Sequence, residues 1–258
     1  MAGSVRDASA RAPAVWRPLG RVAAVALLTV GLGGAVPPPH EEAAPGVDVA
    51  IVLAADVSSS VDYEEAKLQR AGYADALVSD KVQAAIRSGA RGRIAVAYME
   101  WSTAGRKRLV LDWTIIDGPE SARRAAAELR GPMVRSGRNS YGRTSISYAL
   151  ETAALLITKL PWSADRHVVD VSGDGTNNDG PPLAQSRQRV LSRGIVINGL
   201  PIGADPAVAD YYRAEVIGGP GAFMVPASSY AAFAEAVREK IALEVAGVTG
   251  EATVAAAR

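Results

Sequence analysis

No cysteine occurs among the 258 residues. That excludes disulfides, thiolate zinc sites, iron–sulfur ligation and a cysteine nucleophile, and it leaves no cysteine for lipid modification. Histidine is nearly absent too, with only His40 and His167, and aromatic residues make up 5%. Neither charge sign dominates, at 28 basic against 27 acidic side chains. The chain therefore lacks the electrostatic footprint of a nucleic-acid binder. The apolar fraction of 48% is ample for a buried core, and at roughly 100–200 residues per domain the length allows one or two domains.

The first 40 residues differ from the rest. Arg6, Arg11, Arg17 and Arg21 precede an apolar run of 15 residues at 22–36 that ends in Gly33-Gly34-Ala35. A membrane span needs about 20 residues, so the run reads as a signal peptide (1–35) cleaved near Ala35, with a Pro-rich linker at 36–46. Pro37, Pro38 and Pro39 oppose a helical extension of that run. Without the leader the chain carries 24 basic and 26 acidic groups, a net of −2. The expected location is periplasmic or secreted, with no stable membrane span after cleavage.

From residue 47 onward, apolar runs alternate with helical periodicity. Residues 47–55 (VDVAIVLAA) form a β-branched run too short for a helix, which predicts a buried central strand. Residues 63–79 predict a helix. Residues 93–101 and 108–116 predict two strands of an antiparallel hairpin. Helices are expected at 119–130, 145–160, 182–193, 206–217 and 230–245, and strands at 167–171, 195–200 and 222–225. This alternation predicts an α/β doubly wound, mostly parallel sheet with one antiparallel edge strand, in a domain at 47–246 followed by a tail at 247–258.

In such a sheet, ligands bind outside the carboxyl ends of the strands. There the first strand runs into Asp56-Val57-Ser58-Ser59-Ser60, which places one carboxylate and two hydroxyls at alternate positions. Thr144 precedes a helix, and Asp174 follows the strand at 167–171. Carboxylates and hydroxyls without imidazole or thiolate suit Mg²⁺ first, with Mn²⁺ and Ca²⁺ as alternatives. Ser58 and Ser60 admit a second reading, as caps of the following helix. Asn177, Asn178, Asp179 and Glu100 are rim candidates, although an Asn/Asp/Gly turn explains the first three and solvation explains Glu100. Asp174 does not open an EF-hand loop, because the sixth and twelfth positions hold Asp179 and Gln185 instead of Gly and Glu. Basic residues at 106–108, with Arg135, Arg138 and Arg143, read as solvated surface.

The order D-x-S-x-S, Thr, Asp-Gly at these positions resembles the metal-ion-dependent adhesion site of von Willebrand factor A domains. The phrases LAADVSSSVD (53–62), AVAYMEW (95–101), GRTSISYAL (142–150), VVDVSGDGTNNDG (168–180), GIVINGLPI (194–202) and VIGGPGAF (216–223) resemble an uncharacterised, exported bacterial branch of that superfamily. In that branch a cysteine is common just before VIGGPGAF, where this chain has Glu215. The resemblance implies that Ser58, Ser60 and Thr144 contact the ion and that Asp56 and Asp174 hold coordinated waters and orient the hydroxyls. It also implies a binding module whose open coordination position captures an Asp or Glu of a protein partner.

Two other functions stay open. The ion could tie loops together with no partner, or the chain could be a metal-assisted hydrolase. Against an enzyme, there is no G-x-S-x-G elbow and no phosphate-binding P-loop. His167 stands seven residues before Asp174, up to about 23 Å away at roughly 3.3 Å per residue. The expectation is a non-enzymatic binding module.

Overall fold

In this computed structural model, residues 46–133 and 142–247 are described. The expected signal peptide, most of the linker, Arg135, Arg138 and the tail from 248 lie outside them. Among the described residues, no helix is long and apolar enough to cross a membrane.

Five strands form one sheet in the order β3-β2-β1-β4-β5. They are β1 (Val49–Asp56), β2 (Ile94–Trp101), β3 (Lys107–Ile116), β4 (His167–Gly173) and β5 (Val196–Pro201). β1 lies at the centre, parallel to β2 and β4, and β5 is parallel to β4. β3 pairs antiparallel with β2 at the edge, as the hairpin reading predicts. All eight residues of β1 are buried, which is why its sequence is continuously apolar rather than alternating.

Both sheet faces are covered. Val49, Ile51, Leu53 and Ala55 pack in the core beneath α1 (Tyr63–Val78), α2 (Asp80–Ser88), α3 (Pro119–Leu129) and α7 (Phe233–Ala246). Val52 and Ala54 pack on the other face with α4 (Ile146–Ile157), α5 (Leu183–Leu191) and the residues after α6 (Pro206–Tyr211). The connection returns past β1 to β4, so the strand order reverses between β1 and β4, and their carboxyl ends form the topological switch point of the sheet.

Three expectations are corrected. The helix expected at 206–217 is α-helical only to Tyr211 and widens into a π-helical turn over Tyr212–Val216. The strand expected at 222–225 does not join the sheet: this stretch runs along the β5 edge through isolated bridges such as Gly199 to Met224. Gly219 and Gly221, at φ 98° and 70°, turn the chain away between contacts and prevent a continuous ladder. A helix not expected, α2, follows α1 after one residue, because Ser79 both ends α1 and accepts from the Val82 N–H to cap α2.

Candidate metal centre

Asp56 is the last residue of β1 and is fully buried. Just beyond it the backbone turns, and the Ser58 N–H donates to Asp56 Oδ1 at 2.7 Å. The serines do not cap α1. That role belongs to Asp62, which accepts from the Glu65 N–H while the Glu65 side chain accepts from the Asp62 N–H. Likewise Ser145, not Thr144, caps α4. The hydroxyls of Ser58, Ser60 and Thr144 are therefore left to one another and to Asp174.

These residues do converge. Ser60 Oγ donates to Asp174 Oδ1 at 2.6 Å, Ser58 and Ser60 Oγ lie 3.3 Å apart, and Thr144 Oγ1 donates to Ser58 Oγ at 3.2 Å. With the bond from the Ser58 N–H to Asp56 Oδ1, all five residues singled out from the sequence form one contiguous hydrogen-bonded cluster. Ser58 and Thr144 are buried, Ser60 is exposed and Asp174 is partly exposed, so the cluster opens to solvent at one side.

The cluster is electrostatically incomplete. Asp56 Oδ2 is buried with no hydrogen-bond partner. Burial pushes the Asp56 carboxyl up to about 7; the bonds from Ser58 oppose that rise and the Asp174 charge adds to it. Two carboxylates and three hydroxyls, with one carboxylate oxygen unsatisfied, fit a hard divalent cation. Among the described residues no group of three or more His, Cys, Asp or Glu could hold a metal, so a cation site on them depends on hydroxyl donors.

The rim candidates occupy other places. Asn178 clamps the Thr144 backbone from both sides: its Oδ1 accepts from the Thr144 N–H and its own N–H donates to the Thr144 carbonyl, each at 2.9 Å. Asn177 Oδ1 accepts from the Ser147 N–H at the start of α4. The Asp179 carboxylate accepts from the Thr103 hydroxyl and from the Ala104 N–H, tying its loop to the β2–β3 hairpin. Glu100 is buried, not solvated, and pairs with Arg70 of α1. Asn178 thus holds Thr144 itself, while the side-chain bonds of Asn177, Asp179 and Glu100 go to residues outside the five.

Two tyrosines that sequence reasoning missed stand beside the carboxylates. The hydroxyls of Tyr212 and Tyr230 are buried without hydrogen bonds of ordinary geometry, and both are pushed up by burial and by the charges of Asp56 and Asp174. No spacing links them to D-x-S-x-S, and only the fold brings them there.

The sequence profile of a family described as "Protein of unknown function (DUF1194)" matches residues 46–249. No curated protein matches the sequence. Among solved structures, proximal thread matrix protein 1 from the mussel byssus, with a zinc-occupied MIDAS motif, superposes with a TM-score of 0.56 at 14% identity, over 79% of this chain and 49% of that one. The pilus adhesin SpaC from Lactobacillus rhamnosus GG gives 0.54 at 13%, over 78% and 31%. A von Willebrand factor type A protein from Catenulispora acidiphila gives 0.52 at 21%, over 77% and 43%. This chain thus spans about half the length of these structures, or less, and what it shares with them is the von Willebrand factor A fold.

Proposed function

Because this chain belongs to the DUF1194 family and carries the von Willebrand factor A fold, we propose that it is a divalent-cation-dependent protein-binding module. In this reading Ser58, Ser60 and Thr144 hold the cation, and Asp56 and Asp174 orient its waters. The ion supplies a Lewis-acidic position that an Asp or Glu carboxylate of a partner occupies. The observation that carries the reading is the five-residue hydrogen-bonded cluster at the switch point of the sheet, in which Asp56 Oδ2 is left unsatisfied. Likeness in fold to a protein with a zinc-occupied MIDAS motif and to a pilus adhesin supports it. The ion is a divalent cation, with Mg²⁺ the first choice for an all-oxygen donor set. We read the chain as acting outside the cytoplasm, on the pattern of its N-terminal residues.

We also read it as a binding module and not an enzyme. His167, the one histidine among the described residues, opens β4 at the end opposite Gly173, about 20 Å away at ~3.3 Å per residue. The test is retention of immobilised Asp- and Glu-bearing peptides with Mg²⁺ and with a chelator. Retention that needs Mg²⁺ and disappears in Asp56→Ala and Ser58→Ala is the expected result. Retention that both variants keep in full contradicts the reading.

A further inference from the structure

One oxygen of Asp56 lacks a donor. Its Oδ1 accepts from the Ser58 N–H, the Ser60 hydroxyl is used on Asp174, and the Thr144 hydroxyl is used on Ser58. Oδ2 is left buried and bare. A buried carboxylate oxygen needs a cation or a hydrogen-bond donor opposite it, and a donor beside it also fixes its direction.

The missing donor stands across Gly173. A methyl group on Gly173 would lie 2.8 Å from the Tyr212 hydroxyl and 2.9 Å from Asp56 Oδ2, so these two oxygens flank one small gap that only the absence of a side chain keeps open. Both are buried and neither has a partner. Buried tyrosine hydroxyls ordinarily find one. The gap therefore joins an orphaned donor to an orphaned acceptor.

Tyr212 reaches this place because the helix widens there. α6 ends at Tyr211, the π-helical turn starts at Tyr212, and the Ile217 N–H bonds to the Tyr212 carbonyl at 3.0 Å. Two consecutive tyrosines then serve one loop: the Tyr211 hydroxyl accepts from the Asn177 N–H at 3.2 Å, while Tyr212 lies beneath Gly173. Single widened turns of this kind occur often at functional sites.

We propose that Tyr212 is a positioning residue of the cation site: its hydroxyl donates to Asp56 Oδ2, directly or through one water in the Gly173 gap, and so holds the Asp56 carboxylate aligned toward the ion. The proposal rests on the cation-binding reading above and adds to it one residue outside the D-x-S-x-S, Thr, Asp set.

The test is Mn²⁺ titration of the full chain by calorimetry, with melting of the metal-free protein followed in parallel. Tyr212→Phe keeps the buried ring and removes only the hydroxyl. It should weaken Mn²⁺ binding about tenfold or more, the usual scale for a lost outer-shell partner, while the metal-free protein stays folded at the titration temperature. Tyr98→Phe is the control, since its hydroxyl is equally buried and unpartnered but belongs to β2; its Mn²⁺ affinity should equal wild type. The Mn²⁺ paramagnetic resonance spectrum should change in Tyr212→Phe and not in Tyr98→Phe. If wild type binds Mn²⁺ and Tyr212→Phe binds it equally well, the role of Tyr212 is overturned and the site stands. If Tyr98→Phe loses as much affinity as Tyr212→Phe, the effect is general and the proposal is equally overturned. If wild type binds no Mn²⁺, the cation reading fails and the role of Tyr212 falls with it.

Discussion

Burial lifts the Asp56 carboxyl from its ordinary 3.8 to about 7 in the metal-free fold, and the sign of the consequence follows from linkage. Between those two values the folded chain holds a proton that the unfolded chain has released, so raising the pH through this window removes stability. The full effect is on the order of 4 kcal/mol, at 1.36 kcal/mol per pKa unit. A cation opposite Asp56 reverses it by favouring the ionised form. Mg²⁺ should therefore raise the melting temperature more at pH 8 than at pH 5.5, and an equal rise at both would show that Asp56 does not face the ion. The serines are separable from helix capping by the same reasoning. Asp62→Ala should cost about 1 kcal/mol in urea unfolding with cation affinity unchanged. Ser58→Ala should do the opposite, weakening the cation with little loss of α1.

Within the elements, the loop after β4 carries the largest share of positional information. Asn178, Asn177 and Asp179 pin it to Thr144, to α4 and to the β2–β3 hairpin. Asn178→Ala leaves the buried Thr144 N–H without its side-chain acceptor, so a loss of about 1–3 kcal/mol is expected. Cation affinity should fall with it, because Thr144 is no longer held over Ser58. Unchanged stability and affinity would show that the clamp is dispensable. The three oxygen-bearing segments were legible in the sequence because each sits where a β-branched run ends or a helical period begins, and order along the chain suffices to place them at one sheet edge. Tyr212 was not legible: it lies in a helix whose α-helical period breaks at that residue, and its partner, Asp56, is on the central strand. The role of Glu100 was also hidden, since an acidic residue at a strand end reads as solvated until Arg70 of α1 is seen to cover it. α2 escaped because a single residue, Ser79, separates it from α1.

Across the whole molecule, the sheet is tied to its last helix by charge as well as by packing. Lys240 of α7 is completely buried between Asp170 of β4, at 2.6 Å, and Glu244. Asn198 of β5 donates to Glu244 and accepts from the Phe223 N–H. Removing the cation of this cluster leaves two buried carboxylates facing each other, so Lys240→Ala should cost about 3–5 kcal/mol in urea unfolding; a loss below about 1 kcal/mol would show the cluster to be solvated or neutral. That cluster stands on the β4 strand whose far end carries Gly173 and Asp174, so the core and the cation site share one rigid element. The central claim is that the D-x-S-x-S turn, Thr144 and Asp174 together form a cation site. It is tested most directly by calorimetric titration of Mg²⁺ and Mn²⁺ into the wild-type chain and Asp56→Ala. Saturable binding by the wild type that is lost in Asp56→Ala, with the fold of the variant intact, is the predicted result; equal binding by both, or binding by neither, would contradict it.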